Sequence, residues 1–151
     1  MVEARAAIAT DIAALVQLGS SADDEKSAQR GGNLWRDFER SEYANESELS
    51  DPHKLLGVGT IDGVVVGFCG ACIRQPKRPG RPIAQLDFLF VDPPAREVGV
   101  GEALMALVIE WAESLDCRGI DSIAMPGDRA TKNFFESFGL VARAIKVHRP
   151  L

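Results

Sequence analysis

The chain is poor in the residues that most often carry redox, metal or hydrolytic chemistry. It holds three cysteines, two histidines and one tyrosine. A small, odd cysteine count excludes a disulfide-stapled scaffold and fits a reducing cytoplasm. Cys69 and Cys72 form one Cys-x-x-Cys pair, but no second pair or nearby histidine completes a zinc site. Their segment reads as a strand, where a separation of three points side chains to opposite faces, so both are expected to be buried thiols. His53 and His148 stand alone, which leaves no metal set and no histidine-based triad. Long apolar runs are missing too, and nothing approaches the roughly 18 residues needed to span a membrane. The N-terminal Met-Val-Glu-Ala-Arg-Ala has neither the apolar core nor the basic flank of a secretory signal. Basic charge is in deficit, with 17 Lys and Arg against 22 Asp and Glu. That balance argues against a nucleic-acid surface and leans toward cationic small molecules.

What is present describes one soluble α/β domain over residues 1–151, large enough to bury roughly 70% of its extended surface. Residues 5–8 read as a first strand, and Thr10 as the cap of a helix whose apolar face includes Ile12, Leu15, Val16 and Leu18. Polar sequence over 20–32 suggests a break or a frayed helix end, 33–40 a second helix, and 41–53 a loop. Strands follow at 55–61 and 64–73, joined by Asp62-Gly63, a strong hairpin signal between apolar runs. After a proline-rich loop at 75–82 come a strand at 83–91, a helix at 99–114 and a strand at 120–125. The helix repeats Leu104, Leu107, Val108, Trp111 and Leu115 at helical spacing. Asp128 caps a helix that reaches about 138 and stops at Gly139, and 140–148 is strand-like.

The most informative segment runs from Val91 to Leu104: Val-Asp-Pro-Pro-Ala-Arg-Glu-Val-Gly-Val-Gly-Glu-Ala-Leu. A Gly-rich loop between a strand and a helix leaves backbone N–H groups unpaired at the positive end of the helix dipole, a place that binds phosphate. A nucleotide P-loop requires Lys after its last glycine, and Glu102 follows Gly101. A dinucleotide fingerprint requires Gly or Ala where Leu104 stands, and Pro93-Pro94 lengthen a turn that should be tight. The pattern Val-x-Pro-x-x-Arg-x-x-Gly-Val-Gly-x-x-Leu is filled by Val91, Pro93, Arg96, Gly99, Val100, Gly101 and Leu104. It resembles the acetyl-CoA-binding motif of the GNAT acetyltransferase superfamily. The element order β-α-α-β-β-β-α-β-α-β also resembles that fold, a mixed, mostly antiparallel sheet flanked by helices. Asp128, Thr131, Phe134, Phe135, Gly139 and Leu140 resemble the family's last motif, Asn-x-x-Ala-x-x-Phe-Tyr-x-x-x-Gly-Phe.

The resemblance implies a cytoplasmic N-acetyltransferase that uses acetyl-CoA on a small-molecule or peptide amine, without nucleic acid or membrane partners. It also allows a homodimer. Backbone N–H groups from Arg96, Glu97, Val98, Gly99, Val100, Gly101 and Glu102 would hold the pyrophosphate. An N–H among Leu89, Phe90 and Val91 would polarise the thioester carbonyl, a donor typically worth roughly 3–4 kcal/mol. Asp128, Thr131, Lys132, Phe134 and Phe135 would flank the cofactor, while Arg129 and Lys132 suit either its phosphates or a solvated helix face. Glu97 and Val98 replace the family's frequent Gly and basic residue.

Freeing an alkyl ammonium of pKa near 10.4 at neutrality costs about 4.6 kcal/mol. Asp87, the ionisable residue of its strand, is the candidate base or amine ligand, expected by alternation to share a face with Gln85 and Leu89. A carboxylate satisfied by backbone at a bulge is the other reading. Phe135 stands where the family has its acidic tyrosine, so water, another residue or slow chemistry must account for the thiolate. Tyr43, the single tyrosine, belongs to the early acidic segment. Glu39, Glu42, Glu46, Glu48 and Asp51 there suit either a cationic acceptor, such as a polyamine or aminoglycoside, or a solvated loop. The competing function is a non-catalytic acyl-CoA-binding module, motivated by Phe135.

Overall fold

The computed structural model describes residues 1–43 and 45–151. Five strands lie side by side in chain order: β1 (Val2–Ala6), β2 (Lys54–Ile61), β3 (Val64–Arg74), β4 (Ile83–Val91) and β5 (Ile120–Asp121). The first four are antiparallel, and β5 joins β4 in parallel. Helices α1 (Ile12–Ser27) and α2 (Gly32–Phe38) pack on one face with Tyr43, Phe68, Phe88 and Phe90. Helix α3 (Val100–Ser114) covers the other with Val100, Leu104, Met105 and Val108, and α4 (Arg129–Ser137) extends that side through Phe134 and Phe135. This is a mixed α/β architecture, as the element order implies.

Local chemistry explains the well-formed elements. The β2–β3 hairpin turns through Asp62 (φ 49°) and Gly63 (φ 81°), the two left-handed residues that a tight hairpin turn requires. The apolar stripe of α3 seats closely because Gly59 and Gly67 present hydrogen where other residues carry Cβ. A Cβ at Gly59 would lie 2.6 Å from Val100 Cγ1, and one at Gly67 would lie 3.2 Å from the same atom. Asp128 caps α4 by accepting from Thr131 N–H at 3.2 Å, and Gly139 beyond it takes φ 85°. Cys69 and Cys72 do face opposite sides: Cys69 is buried under α3, and Cys72 is half-buried on the far face.

Other elements depart from the expectations. The first strand is Val2–Ala6 rather than 5–8, because Ala9–Asp11 forms a tight turn. Asp11, not Thr10, organises that turn by accepting from Ile8 N–H at 2.9 Å. Helix α1 continues through the expected break to Ser27, with Ala22 buried, Asp23, Lys26 and Ser27 half-buried, and Ser20, Ser21, Asp24 and Glu25 exposed. Val16 is 59% exposed instead of lining the apolar face. The second helix spans Gly32–Phe38, and the following loop contains a short turn, Glu46–Ser50, capped by Asn45. The strand expected at 120–125 stops after two residues, where the Ser122 hydroxyl donates to Leu86 C=O at 2.9 Å in place of the next ladder bond.

The strand expected at 140–148 does not form. Its alternation can select a face but cannot supply a partner, and the neighbouring sheet edge is the two-residue β5. Residues 141–151 are exposed, tethered by Arg143 to Asp121 and by Lys146 to Glu39.

Asp11 is a buried anchor between β1 and α1. It accepts two bonds from Arg5, at 2.7 and 3.1 Å, besides that from Ile8. The Arg5 hydrogen bond holds its carboxyl below the usual carboxylate range. Asp11→Ala is expected to cost about 2 kcal/mol in urea unfolding at pH 7. Because the folded pKa is depressed, this contribution is complete above the unfolded value of about 3.9 and disappears as pH falls through the folded value. The gap between variant and wild type should therefore narrow in acid.

Candidate active site

Strands β4 and β5 pair only at Ala84–Ile120 and Gln85–Asp121, then diverge. Asp92 N–H donates to Val66 C=O on β3 at 2.8 Å, so Phe90 and Phe88 also face β3. By alternation the Leu89 and Val91 amides point the other way, into the gap left by β5. Arg96 Nε claims Val91 C=O at 2.8 Å, while its other nitrogen meets Glu25 at 2.6 Å and its guanidinium covers the Phe90 ring at 5.4 Å. The Arg96 side chain thus ties α1 to the end of β4 while staying partly exposed.

Beyond Arg96, the backbone N–H groups of Glu97, Val98, Gly99, Val100, Gly101 and Glu102 have no hydrogen-bond partner among the described residues. Two left-handed residues shape this run, Glu97 at φ 65° and Gly99 at φ 97°. The Glu97, Val98 and Glu102 side chains are exposed, which keeps the two carboxylates in water. A Cβ at Gly101 would lie 3.3 Å from the Phe134 ring, so this glycine lets α4 rest on the first turn of α3. Six consecutive free donors at the start of a 15-residue helix fit a polyanion such as the pyrophosphate of acetyl-CoA.

The gap opens into a cavity lined by residues of β4 (Asp87, Phe88, Leu89, Phe90), α1 (Ala22, Glu25, Lys26) with Gln29 just beyond it, and α4 (Thr131, Phe135) with its cap Asp128, together with Trp35, Tyr43, Ser122 and Ile123. Gln29 Oε1 is buried there without a partner among the described residues, a place where a bound molecule's donor would be accepted. Leu89 and Phe90 of the expected strand residues therefore meet Asp128, Thr131 and Phe135 at one cavity, which Val91 does not line. Lys132 does not join them. It is exposed and pairs with Glu136 at 3.5 Å, while Phe134 packs beneath α4 against Phe138 and Gly101.

Asp87 lines the cavity, but not on the face expected. Gly70 lies opposite Phe88 and Ala71 opposite Leu86, so Asp87 is the extra residue of a β-bulge. The bulge breaks the alternation: Leu89 packs on the α3 side, whereas Asp87 lies beside Cys72 on the side of Phe88 and Tyr43. Burial raises the Asp87 pKa against the lowering effects of the Cys72 thiol, Lys54 and Arg74. Burial, reinforced by the same carboxylate, pushes the Cys72 thiol up to about 11.

Tyr43 is 5% exposed, edge-on to Phe88 with ring centroids 4.7 Å apart, and its hydroxyl donates to Asp23 at 2.9 Å. Glu48 and Glu39 of the acidic segment are engaged by Lys54 at 3.2 Å and by Lys146. Glu25, Lys26, Gln29 and Trp35 were not anticipated. The positions 22, 25 and 26 lie on one helical face, with Gln29 just past the helix end, a signal hidden when this segment is read as a break.

The family model described as Acetyltransferase (GNAT) family matches residues 21–140. The chain belongs to the GNAT acetyltransferase family. As a member it is an acetyl-CoA-dependent N-acetyltransferase. It is 30% identical over 97 residues to the aminoglycoside N(6')-acetyltransferase type 1 of Salmonella typhimurium, a match covering 62% of this chain and 67% of that protein. Among solved structures it resembles AAC(6')-Iy in complex with the bisubstrate analogue CoA-S-monomethyl-acetylneamine, with a TM-score of 0.74, 22% identity and coverage of 100% and 99% of the two chains. A putative acetyltransferase from Agrobacterium tumefaciens matches equally well, with a TM-score of 0.74, 22% identity and 99% of each chain covered. These structural likenesses speak to the fold.

The two glycines of the loop are expected to fail for different reasons. Gly99→Ala forces a left-handed backbone at a cost of about 1 kcal/mol, whereas Gly101→Val drives side-chain atoms into Phe134 and costs about 1–3 kcal/mol. Urea midpoints measure both, and adding Phe134→Ala should relieve only the Gly101 variant.

Proposed function

We propose that this GNAT acetyltransferase acetylates a primary amine on a cationic small molecule of the aminoglycoside or polyamine class, acting in the cytoplasm. One observation carries the reading: the outward amide of Leu89 and the half-buried carboxylate of Asp87 line the same cavity, beside a run of free loop donors. Glu25, Asp87 and Asp128 give that cavity three carboxylates against one lysine, which favours a cationic acceptor. The relative at 30% identity, named an aminoglycoside acetyltransferase, supports the same class.

The amides from Glu97 to Glu102 would bind the pyrophosphate of acetyl-CoA, and Phe135 and Thr131 would line the path of its thioester arm. Acetyl-CoA supplies the activated acyl group. The Leu89 N–H, fixed by the β3 ladder, stabilises negative charge developing on the thioester oxygen. Asp87, kept in a bulge and raised in pKa, takes a proton from the incoming ammonium, directly or through water. Freed of that proton, the amine attacks the carbonyl carbon.

The test is release of CoA thiol from acetyl-CoA across a panel of aminoglycosides, polyamines and peptides with free amines. Wild type should turn over a cationic small molecule. Asp87→Asn should lower kcat/KM about 100-fold and remove the acidic limb of the pH profile. In wild type that limb arises as pH falls through the raised Asp87 pKa and the base is protonated. Full activity in Asp87→Asn would remove its role, and exclusive turnover of peptides would overturn the substrate class. Saturable acetyl-CoA binding with no turnover of any amine would overturn the catalytic reading altogether.

A further inference from the structure

We propose that Lys26 donates the proton that neutralises the departing CoA thiolate, the task for which Phe135 has no acidic hydrogen. The inference rests on the placement of the thioester proposed above. It begins with the side chains that line the cavity and carry an N–H or O–H. Tyr43 Oη donates to Asp23 at 2.9 Å, Thr131 Oγ1 to Asp128 at 2.7 Å and Ser122 Oγ to Leu86 C=O at 2.9 Å. Gln29 Nε2 donates to Asp128 at 3.0 Å, and neither its amide nor the Trp35 indole is acidic enough to release a proton. Lys26 is the remaining donor of this cavity that can release a proton, and its Nζ has no hydrogen bond or ion pair among the described residues. Its ammonium rests over the Trp35 ring, 5.1 Å from the centroid.

Lys26 of α1 and Phe135 of α4 line the same cavity. The charged or titratable groups around it are Glu25 on its own helix, Asp128 at the cap of α4, Asp87 on β4 and Tyr43 from the loop. Burial lowers the Lys26 pKa, while Asp128 and Glu25 oppose the shift. The net direction moves a lysine toward the pKa of a thiol, about 8.5, where proton exchange with sulfur is best matched.

The step balances without any further reagent. The C–N bond to the acceptor forms and the C–S bond breaks with its electron pair on sulfur. The Nζ proton passes to that sulfur, giving CoA-SH and neutral Lys26. The proton surrendered by the acceptor ammonium is one of two lost on acylation; one restores Lys26 and the other leaves to solvent.

Two measurements test the assignment. Ultraviolet absorbance of the thiolate, titrated on the CoA complex, needs no acceptor. An ammonium beside sulfur should hold the bound thiol below its free pKa of about 8.5, and Lys26→Met should return it to or above that value. In steady-state assays with neamine and spermine, Lys26→Met and Lys26→Arg should both lose about 100-fold in kcat at pH 7, since arginine keeps the charge but cannot release the proton. Both should also lose the basic limb of the wild-type pH profile. Identical thiol titrations in wild type and Lys26→Met, or kcat within threefold of wild type in either variant, would overturn the proposal. Failure of wild type to bind CoA, read as no shift in melting temperature, would instead overturn the cofactor placement on which it rests.

Discussion

Everything at the site depends on β4 losing its parallel neighbour after two residue pairs. A backbone in the middle of a sheet has its N–H and C=O groups consumed on both edges, and each one left over inside a protein must find a substitute. Here the substitutes are unevenly supplied. Ser122 satisfies Leu86 C=O and Arg96 satisfies Val91 C=O, whereas the Leu89 amide between them is left facing the cavity. The same divergence makes room for α1 to approach, so Glu25 reaches Arg96 and Lys26 reaches the cavity. A β5 paired along its whole expected length would close this space and leave an ordinary sheet.

The second constraint is the close seat of α3. Val100 and Leu104 rest on Gly59 and Gly67, and Phe134 rests on Gly101. These contacts fix the height and direction of the helix start, and with it the row of free N–H groups that precedes it. The phosphate-type cradle is therefore held by apolar packing on three sides while its donors stay solvent-facing. That division suits a loop whose negative side chains, Glu97 and Glu102, remain exposed. In the proposed mechanism the chemistry is spread over two walls: base and carbonyl donor would come from β4 and the proton donor from α1, so acid and base would be kept apart by the strand and helix that carry them.

The loop was legible in the sequence because its signal is local: a strand, two prolines, an arginine and two glycines at fixed spacing, then an amphipathic helix. The hairpin at Asp62-Gly63 and the cap at Asp128 were legible for the same reason, since turn and cap geometry depends on a few adjacent residues. Asp87 was found as a candidate but put on a face with Leu89. Period-two alternation fails wherever a bulge inserts a residue, and the bulge is a property of the β3–β4 pairing rather than of either strand. The α1 wall was missed because Ser20 to Ser27 is polar by composition, and only packing against Trp35 and the sheet gives its inward positions meaning.

The sequence by itself determined the order of the elements as far as α4, the donor loop and the absence of a tyrosine acid at position 135, all of which follow from residue identity and short-range geometry. Tertiary structure alone decided where β5 ends, whether the strand-like segment at 140–148 finds a partner, and which charged groups share the cavity. Those outcomes are settled by hydrogen bonds and contacts between residues far apart in the chain, such as Ser122 with Leu86 and Arg96 with Glu25. A strand pattern states which face wishes to be buried, but a strand exists only where another backbone lies alongside to take its hydrogen bonds.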